Sequence, residues 1–449
     1  MSGSNNSSTL SVWAWALYDF SNTIFSISIL SVFFPLWLEE KFSAGPNVFN
    51  YVSAVAALGV VLTVPLFGAL ADFRQRRIPY LVVLTVLSAA ATAGLDLAGS
   101  VIVGLALFVA ADVTYQSALV FYNALLPGVA AGRSLDKVSG YGTGAGYVGA
   151  IFGLVVLTVF VSRADDIRQV IGPLGAWIQP GAEHSSNAFL PTAVLYILLS
   201  LPTFFLVPDR PVRASRPFSV RAAYRDVLST VGNIGHYAGM GAFILATLLY
   251  MDAASTTIAN MSFYGREVFG MAQGGISALI LFSTTFAAVG CVFFGYVSDR
   301  AGPKRTLLAI LLLWIVAIAM VAGAPAVWVL FAAGPLVGIA LGATWTVSRI
   351  LLVSLSPPEK LGEFFGLYGI AGKVSTVLGS SLLGLLLTVM GGMGRATSYR
   401  FSIGSLVFIM LISIIILVRV PDARPGSNMD EHVPEANPRN YPGTLDSPP

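Results

Sequence analysis

Five ionisable side chains stand inside long apolar stretches of this sequence. They are three acids and two bases: Asp19, Asp112, Asp252, Arg349 and Lys373. At about 2.5–3.5 kcal/mol for each charge near the bilayer centre, lipid exposure of all five would cost about 12–17 kcal/mol. A whole domain is stable by only about 5–15 kcal/mol. We therefore expect these side chains to face a water-filled cavity or one another.

Acids and bases that share a cavity suit a small zwitterionic solute. Arg349 or Lys373 can bind a carboxylate, and Asp252 or Asp19 can bind an ammonium group. Protonation of a buried aspartate could also couple solute movement to a proton gradient. The alternative is structural: Asp19 could pair with Arg349, and Asp252 with Lys373, as fixed ion pairs between helices.

Polar neighbours extend these residues into stripes, since positions three, four and seven apart share a helix face. Asn22 shares a face with Asp19, and Asn260 lies nearly on that of Asp252. Further candidates for contact with a solute or coupling ion lie near Asp112 and Arg349: Tyr115, Gln116, Asn123 and Trp345. The aromatic ones could equally serve packing between helices.

The elements that must position these residues are long apolar helices. The chain has 449 residues, of which 56% are apolar and 10% charged, against about 25% charged in soluble domains. A helix needs about 20 apolar residues to cross a bilayer. The sequence therefore predicts an all-α membrane protein with twelve transmembrane helices. The predicted spans are 11–38, 50–71, 78–98, 100–126, 136–161, 187–207, 236–263, 271–297, 304–323, 325–355, 362–390 and 398–420.

Charged loops orient these spans. Most of the 25 Lys and Arg residues fall in loops on one side, which the positive-inside rule assigns to the cytoplasm. Both termini are then cytoplasmic. The expected division is a cytoplasmic tail 1–10, a six-helix bundle 11–207, a cytoplasmic linker 208–235 with a candidate interfacial helix, a six-helix bundle 236–420, and a disordered cytoplasmic tail 421–449.

The two halves of the chain repeat. "GALADFRQRR" matches "GYVSDRAGPKR", and "GYGTGAGYVGAIFG" matches "GLYGIAGKVSTVLG" at nearly the same separation. "LYDFSNT" similarly echoes "LYMDAASTT", which aligns Asp19 with Asp252. Each repeat starts on the cytoplasmic side, so the sequence predicts two parallel, pseudo-symmetric six-helix units.

Twelve spans and the loop "GYVSDRAGPKR" resemble the major facilitator superfamily. Within it, "WALYDFSNTIF", "FYNALLP", "LLYMDAASTTIANMSFYG" and "SRILLVSLSPPEKLGEFFGLYGIAGK" are similar to the vacuole effluxer-like branch, whose fungal members export amino acids from the vacuole. The resemblance implies a secondary transporter that works by a rocker-switch, with helices one, four, seven and ten lining a central cavity.

Charged residues in the two repeated loops are expected to act on conformation and not on the solute. We interpret them as latches between the two bundles on the cytoplasmic face. They are Asp72, Arg76, Asp299, Arg300, Lys304 and Arg305.

Several classes of function are disfavoured. No spacing suggests a catalytic nucleophile or a nucleotide-binding loop, so we expect neither an enzyme nor a cofactor. His184 and His236 lie in a loop and at a span edge, which does not favour a metal site. The net charge of +3 argues against nucleic acid. We expect a monomer among membrane lipids in a plasma or inner membrane, or in a vacuolar membrane if the host is a fungus.

Three functions remain open from the sequence. The first is a secondary transporter of a small polar organic solute, with a neutral amino acid as leading candidate. The direction of transport and the coupling ion stay open, with protons as one candidate ion. In that case Asp252→Asn should abolish coupled uptake. The second is an exporter of lipids or hydrophobic drugs, and the third is a solute sensor of the same fold that does not transport.

Overall fold

Long helices make up most of the chain. The computed structural model describes residues 8–42, 46–73, 76–180, 184–209, 225, 229–230, 232–271 and 273–422. The predicted interfacial helix of the linker and the C-terminal tail lie almost wholly outside these residues. The long helices in the described part are α1 Thr9–Phe42, α2 Pro46–Phe73, α3 Ile78–Gly94, α4 Val101–Val129, α5 Leu135–Ser162, α6 Phe189–Leu206, α7 Met240–Phe269, α8 Gln273–Ala301, α9 Pro303–Ala322, α10 Val327–Leu355, α11 Leu361–Val389 and α12 Arg395–Val418.

Ten of these helices contain a span that is long and apolar enough to cross a membrane. The helix α3 is apolar but shorter. Serine side chains begin several helices: Ser8 Oγ accepts from Ser11 N, and Ser134 Oγ accepts from Lys137 N. Such N-caps satisfy backbone donors that a helix leaves without partners at its start. The predicted all-α membrane fold is confirmed.

The helix α1 changes its winding part-way. It is α-helical over Thr9–Phe25, π-helical over Ser26–Phe33 and α-helical again over Phe34–Phe42. Wide π turns inside α-helices are frequent at functional sites. Beyond this segment, the Glu40 carboxylate accepts hydrogen bonds from Ser185 N and Oγ, which ties the end of α1 to the loop before α6.

The helices form two bundles, α1–α6 and α7–α12, each with its own apolar core. In the first, α1 packs on α5 and α6, and α4 packs on α2 and α3. In the second, α7 packs on α11 and α12, and α10 packs on α8 and α9. Exchanging the bundles maps each of these contacts onto its counterpart, as expected for parallel repeats.

The bundles meet chiefly where α5 packs on α8 and where α2 packs on α11. Exchanging the two bundles turns each of these contacts into the other. We call the end of the molecule where α1 begins and α12 ends the terminal face. Near this face, a Cβ on Gly140 would lie 2.8 Å from Cys291 O, and one on Gly68 would lie 2.6 Å from Gly362 O. The repeated glycines therefore allow helix backbones of opposite bundles to touch.

Candidate functional site

A cavity of about 450 Å³ lies between the two bundles. Helices α1, α4, α7 and α10 contribute to its wall, as the family resemblance implied, and α2, α5 and α11 contribute as well. The predicted site residues in the wall are Asp19, Asn22, Tyr115, Gln116, Asn123, Trp345, Arg349 and Lys373.

Asp19 and Arg349 form an ion pair across the two bundles, with 3.4 Å between Oδ2 and Nη1. Their side chains are 10% and 12% exposed. Asn22 Nδ2 donates to the other oxygen of Asp19 at 3.3 Å. The guanidinium also lies 5.7 Å from the ring of Trp15 and 5.9 Å from that of Tyr122, positions that favour a cation–π attraction. This ion pair is one of the two that the structural alternative required.

Lys373 pairs with Asp112 and not with Asp252, so the second predicted pair is wrong. Lys373 Nζ lies 3.6 Å from Asp112 Oδ2, and Gln116 Nε2 donates to Asp112 Oδ1 at 3.3 Å. Counting residues along helices gives the depth of a side chain but not the helix it faces. In the fold α11 contacts α4 across the bundles, which brings Lys373 to the carboxylate of α4.

Asp252 and Asn260 lie outside the cavity wall. The part of the cavity wall that α7 contributes consists of Met251 and Ser255. These residues directly precede Asp252 and Thr256 in the sequence. One residue turns a helix face by about 100°, so Asp252 and Thr256 point to α11 instead. Asn260 Nδ2 donates to Thr256 O at 2.9 Å within its own helix.

The sequence repeat aligns Asp19 with Asp252, but the two residues do not occupy equivalent positions in the two bundles. Asp19 lies against Gly142 of α5, whereas Asp252 lies against Gly379 of α11. In the repeated glycine motif Gly379 corresponds to Gly153, which packs on Ile24. Asp252 therefore lies further along its bundle than Asp19 does.

Several wall residues were not predicted, among them Thr143, Tyr147 and Tyr368. The glycine repeat contained a signal for one of them, because it aligns Tyr147 with Lys373. The same separation aligns Asn123 with Arg349. The wall thus carries a cation in the second bundle where the first carries a neutral polar group.

The chain matches the family described as "Vacuole effluxer Atg22 like" over residues 47–428. It belongs to this family. The effluxer-like chain is 23% identical over 420 residues to the uncharacterized MFS-type transporter YxiO of Bacillus subtilis, an alignment that covers 91% of this chain and 94% of that protein. It is 24% identical to autophagy-related protein 22 of Eremothecium gossypii, over 84% of this chain and 85% of the other.

Solved structures show the same fold. The human organic anion transporter MFSD10 superposes with a TM-score of 0.69 at 14% identity, over 91% of this chain and 98% of that one. The major facilitator transporter FucP, in the outward conformation, superposes with a TM-score of 0.67 at 13% identity, over 91% and 97% of the two chains. The effluxer-like protein is a multi-pass membrane protein with the major facilitator fold, and the predicted family is confirmed.

The predicted latch residues of this effluxer-like protein separate into two groups. Asp299 Oδ2 accepts from Lys137 Nζ at 2.8 Å, which joins α8 to α5 near the terminal face. Beside it, Ser298 Oγ donates to Asp136. Lys304 and Arg305 instead pair with Asp422 at 3.9 and 3.5 Å, within the second bundle.

The expectation that Lys304 and Arg305 bridge the bundles is therefore wrong, because both lie at the start of α9, beside the end of α12. Arg76 and Arg300 are exposed. The side chain of Asp72 lies outside the described part of the chain.

Proposed function

We propose that this protein moves a small zwitterionic solute across a membrane by alternating access, with a neutral amino acid as leading candidate. The observation that carries the proposal is the placement of charge. A cavity between the bundles presents Asp19, Arg349 and Lys373, and each of its ion pairs has one member in each bundle. A zwitterion offers the same two charges in one molecule.

Binding can proceed by exchange of partners. A solute carboxylate would replace Asp19 at Arg349, and the ammonium group would then bind the released Asp19. Asn123 Oδ1 is buried and has no hydrogen-bond partner among the described residues, so it supplies a further acceptor for the ammonium. Since Asp19 and Arg349 are already largely removed from water, the exchange requires desolvation of the solute's two charges but little further desolvation of the protein's.

The same exchange would link binding to movement. Asp19 belongs to the first bundle and Arg349 to the second, so a solute between them changes a direct contact between the bundles. A ligand shifts a conformational equilibrium only by binding one state more tightly. We propose that the occluded state, in which both bundles contact the solute, is that state.

The size and chemistry of the cavity support a small polar solute over a lipid or a hydrophobic drug. A volume of about 450 Å³ equals that of about fifteen liquid-water molecules. Charged and amide side chains from α1, α4, α10 and α11 reach this space. The family description names a vacuole effluxer and so favours efflux, and the resemblance described in the sequence analysis adds an amino acid as the leading solute.

Counterflow in proteoliposomes tests the proposal. Vesicles loaded with an unlabelled neutral amino acid should take up the labelled one faster than empty vesicles, and Arg349→Gln should abolish the exchange. Arg163→Gln is the matched control, because Arg163 is 70% exposed and pairs only with the exposed Asp166 among its described contacts. Counterflow of sugars or lipids but of no amino acid would contradict the proposed solute. Binding without counterflow would indicate a sensor.

A further inference from the structure

Asp252 differs from the other two aspartates inside the membrane. Asp19 pairs with Arg349 and Asp112 with Lys373, whereas no cation pairs with Asp252 in the described part of the chain. We propose that Asp252 is the residue that takes up and releases the coupling proton, at a site separate from the solute cavity. The proposal rests on the proposed function as a transporter, since a proton site has a role there only if a solute moves.

The surroundings of Asp252 suit a neutral carboxylic acid. Asp252 is 4% exposed and Thr256, one turn later, is 2% exposed. Asp252 Oδ1 and Thr256 Oγ1 are both buried, and neither has a hydrogen-bond partner among the described residues. A charge without a partner at this depth is costly. Protonation removes that charge and gives the carboxyl a donor that it otherwise lacks.

Gly379 of α11 gives this site its shape. A Cβ on Gly379 would overlap both Thr256 Oγ1 and Asp252 Oδ1, the latter at 2.6 Å. The carboxyl therefore touches the backbone of α11 directly. The same helix carries Lys373, which pairs with Asp112, and it forms the α2–α11 contact between the bundles. A change of charge on Asp252 acts on the helix that links the solute cavity to the bundle interface.

Other titratable groups on the helices around α7 have partners elsewhere or lie at other depths. Lys373 and Glu363 of α11 pair with Asp112 and Lys360, and Arg349 of α10 pairs with Asp19. Arg395 of α12 pairs with Glu267, and Arg400 donates to Ala322 O. The neutral titratable groups on α7, α11 and α12 are Tyr250, Tyr264, Tyr368 and Tyr399, and Tyr264 donates to Val321 O. The proton on Asp252 is thus the simplest way to neutralise it.

The proposed step balances with water and solute alone. A proton from water on one side binds a carboxylate oxygen of Asp252, and the same O–H bond breaks when the proton leaves to water on the other side. One proton then crosses for each solute that moves. No oxidant, reductant or further reactant is needed.

Measuring accumulation driven by a pH gradient and counterflow without a gradient distinguishes proton binding by Asp252 from solute binding. In proteoliposomes, Asp252→Asn should keep amino-acid counterflow within about twofold of wild type but lose accumulation driven by a pH gradient by about tenfold or more. Gly379→Ala should impair the same accumulation by displacing the carboxyl. Gly153→Ala, which would crowd Ile24 at the corresponding place in the first bundle, is the packing control and should keep coupling. Undiminished pH-driven accumulation by Asp252→Asn, or accumulation driven only by a sodium gradient, would overturn the proposal.

A second measurement needs no solute. Infrared difference spectra are taken between mildly acidic pH, at which exposed carboxyl groups with a pKa of about 4 are already ionised, and alkaline pH. They should contain the carbonyl stretch of a protonated carboxylic acid in wild type, Asp19→Asn and Asp112→Asn protein, and lose it in Asp252→Asn. If Asp252→Asn does not fold, Thr256→Val should shift the pH at which the band disappears. An unchanged spectrum in these variants overturns the proton site even if amino-acid transport is established. A wild-type protein with this band but without counterflow contradicts the transport proposal instead.

Discussion

Asp19 of α1 and Arg349 of α10 form an ion pair that joins the two bundles at the cavity wall, with 3.4 Å between Oδ2 and Nη1. The arginine also lies over the stacked rings of Trp15 and Tyr122, whose centroids are 4.7 Å apart. One cation of the second bundle thus forms its ion pair and its cation–π contacts with side chains of the first. This arrangement makes Arg349 both a solute ligand in our proposal and a structural contact.

Removing one member of this pair should destabilise the protein more than removing both. Asp19→Asn leaves the arginine buried without its counter-charge, which costs about 3–5 kcal/mol in free energy of unfolding. Asp19→Asn combined with Arg349→Gln should regain most of that loss, because no buried charge is left without a partner. Unfolding of the detergent-solubilised variants measures the difference.

Asp166→Asn is the control for this comparison, because Asp166 is 68% exposed and pairs only with the exposed Arg163 among its described contacts. Its effect should stay within about 0.5 kcal/mol. If Asp19→Asn is no more destabilising than Asp166→Asn, the ion pair has no structural role.

Lys373 should contribute to solute affinity more than to stability. Its side chain is 27% exposed and lines the cavity, whereas Asp112 is 7% exposed and does not. Lys373→Gln removes a charged donor to the solute carboxylate, which corresponds to about 1.5–3 kcal/mol, or about 10–150-fold in the dissociation constant. Lys373→Arg should retain most of the affinity. Thermal-shift titration with the amino acid measures it, and equal affinity in Lys373→Gln would place the solute away from α11.

The Lys137–Asp299 pair should stabilise the conformation in which α5 and α8 are closed at the terminal face. The two side chains are 35% and 30% exposed, so their attraction amounts to about 0.2–1 kcal/mol. Lys137→Gln should therefore raise the population of a conformation that is open there by about 1.5–5-fold. Double electron–electron resonance measures that population. It gives the distance between spin labels at the exposed positions of Arg133 and Arg300 in a Cys291→Ala background.

Lys304→Gln is the matched variant for this measurement. Lys304 lies close to the terminal face but pairs with Asp422 inside the second bundle, so its loss should leave the distances between α5 and α8 unchanged. A shift in Lys304→Gln equal to that in Lys137→Gln would mean that general surface charge, and not the α5–α8 pair, controls closure.

Properties that depend only on position along the chain could be predicted well. The length of each apolar stretch defines a membrane span, and the paired glycines Gly68 and Gly295 indicated the repeat because close backbone contacts leave no room for side chains. Except for Asp112, the candidates on α1, α4 and α10 reach the cavity because polar stripes on these helices coincide with its wall.

Properties that depend on the rotation and pairing of helices could not be predicted in the same way. On α7 the polar stripe of Asp252 faces α11, and Met251 and Ser255 face the cavity instead. The partner of Lys373 is decided by the contact of α11 with α4, and no local pattern records this contact. In the sequence Lys137 does not differ from other charged loop residues, and only the fold shows that it lies opposite Asp299.

The contact of α5 with α8 has a practical consequence for the single thiol of the chain. Cys291 has no exposed surface, and its backbone oxygen faces Gly140 across the junction of the two bundles. While the junction stays shut, alkylating reagents have no access to the sulfur. Alkylating reagents reach the sulfur only in a conformation in which α5 and α8 have separated. The rate at which Cys291 is alkylated in the native protein therefore reports how often this junction opens.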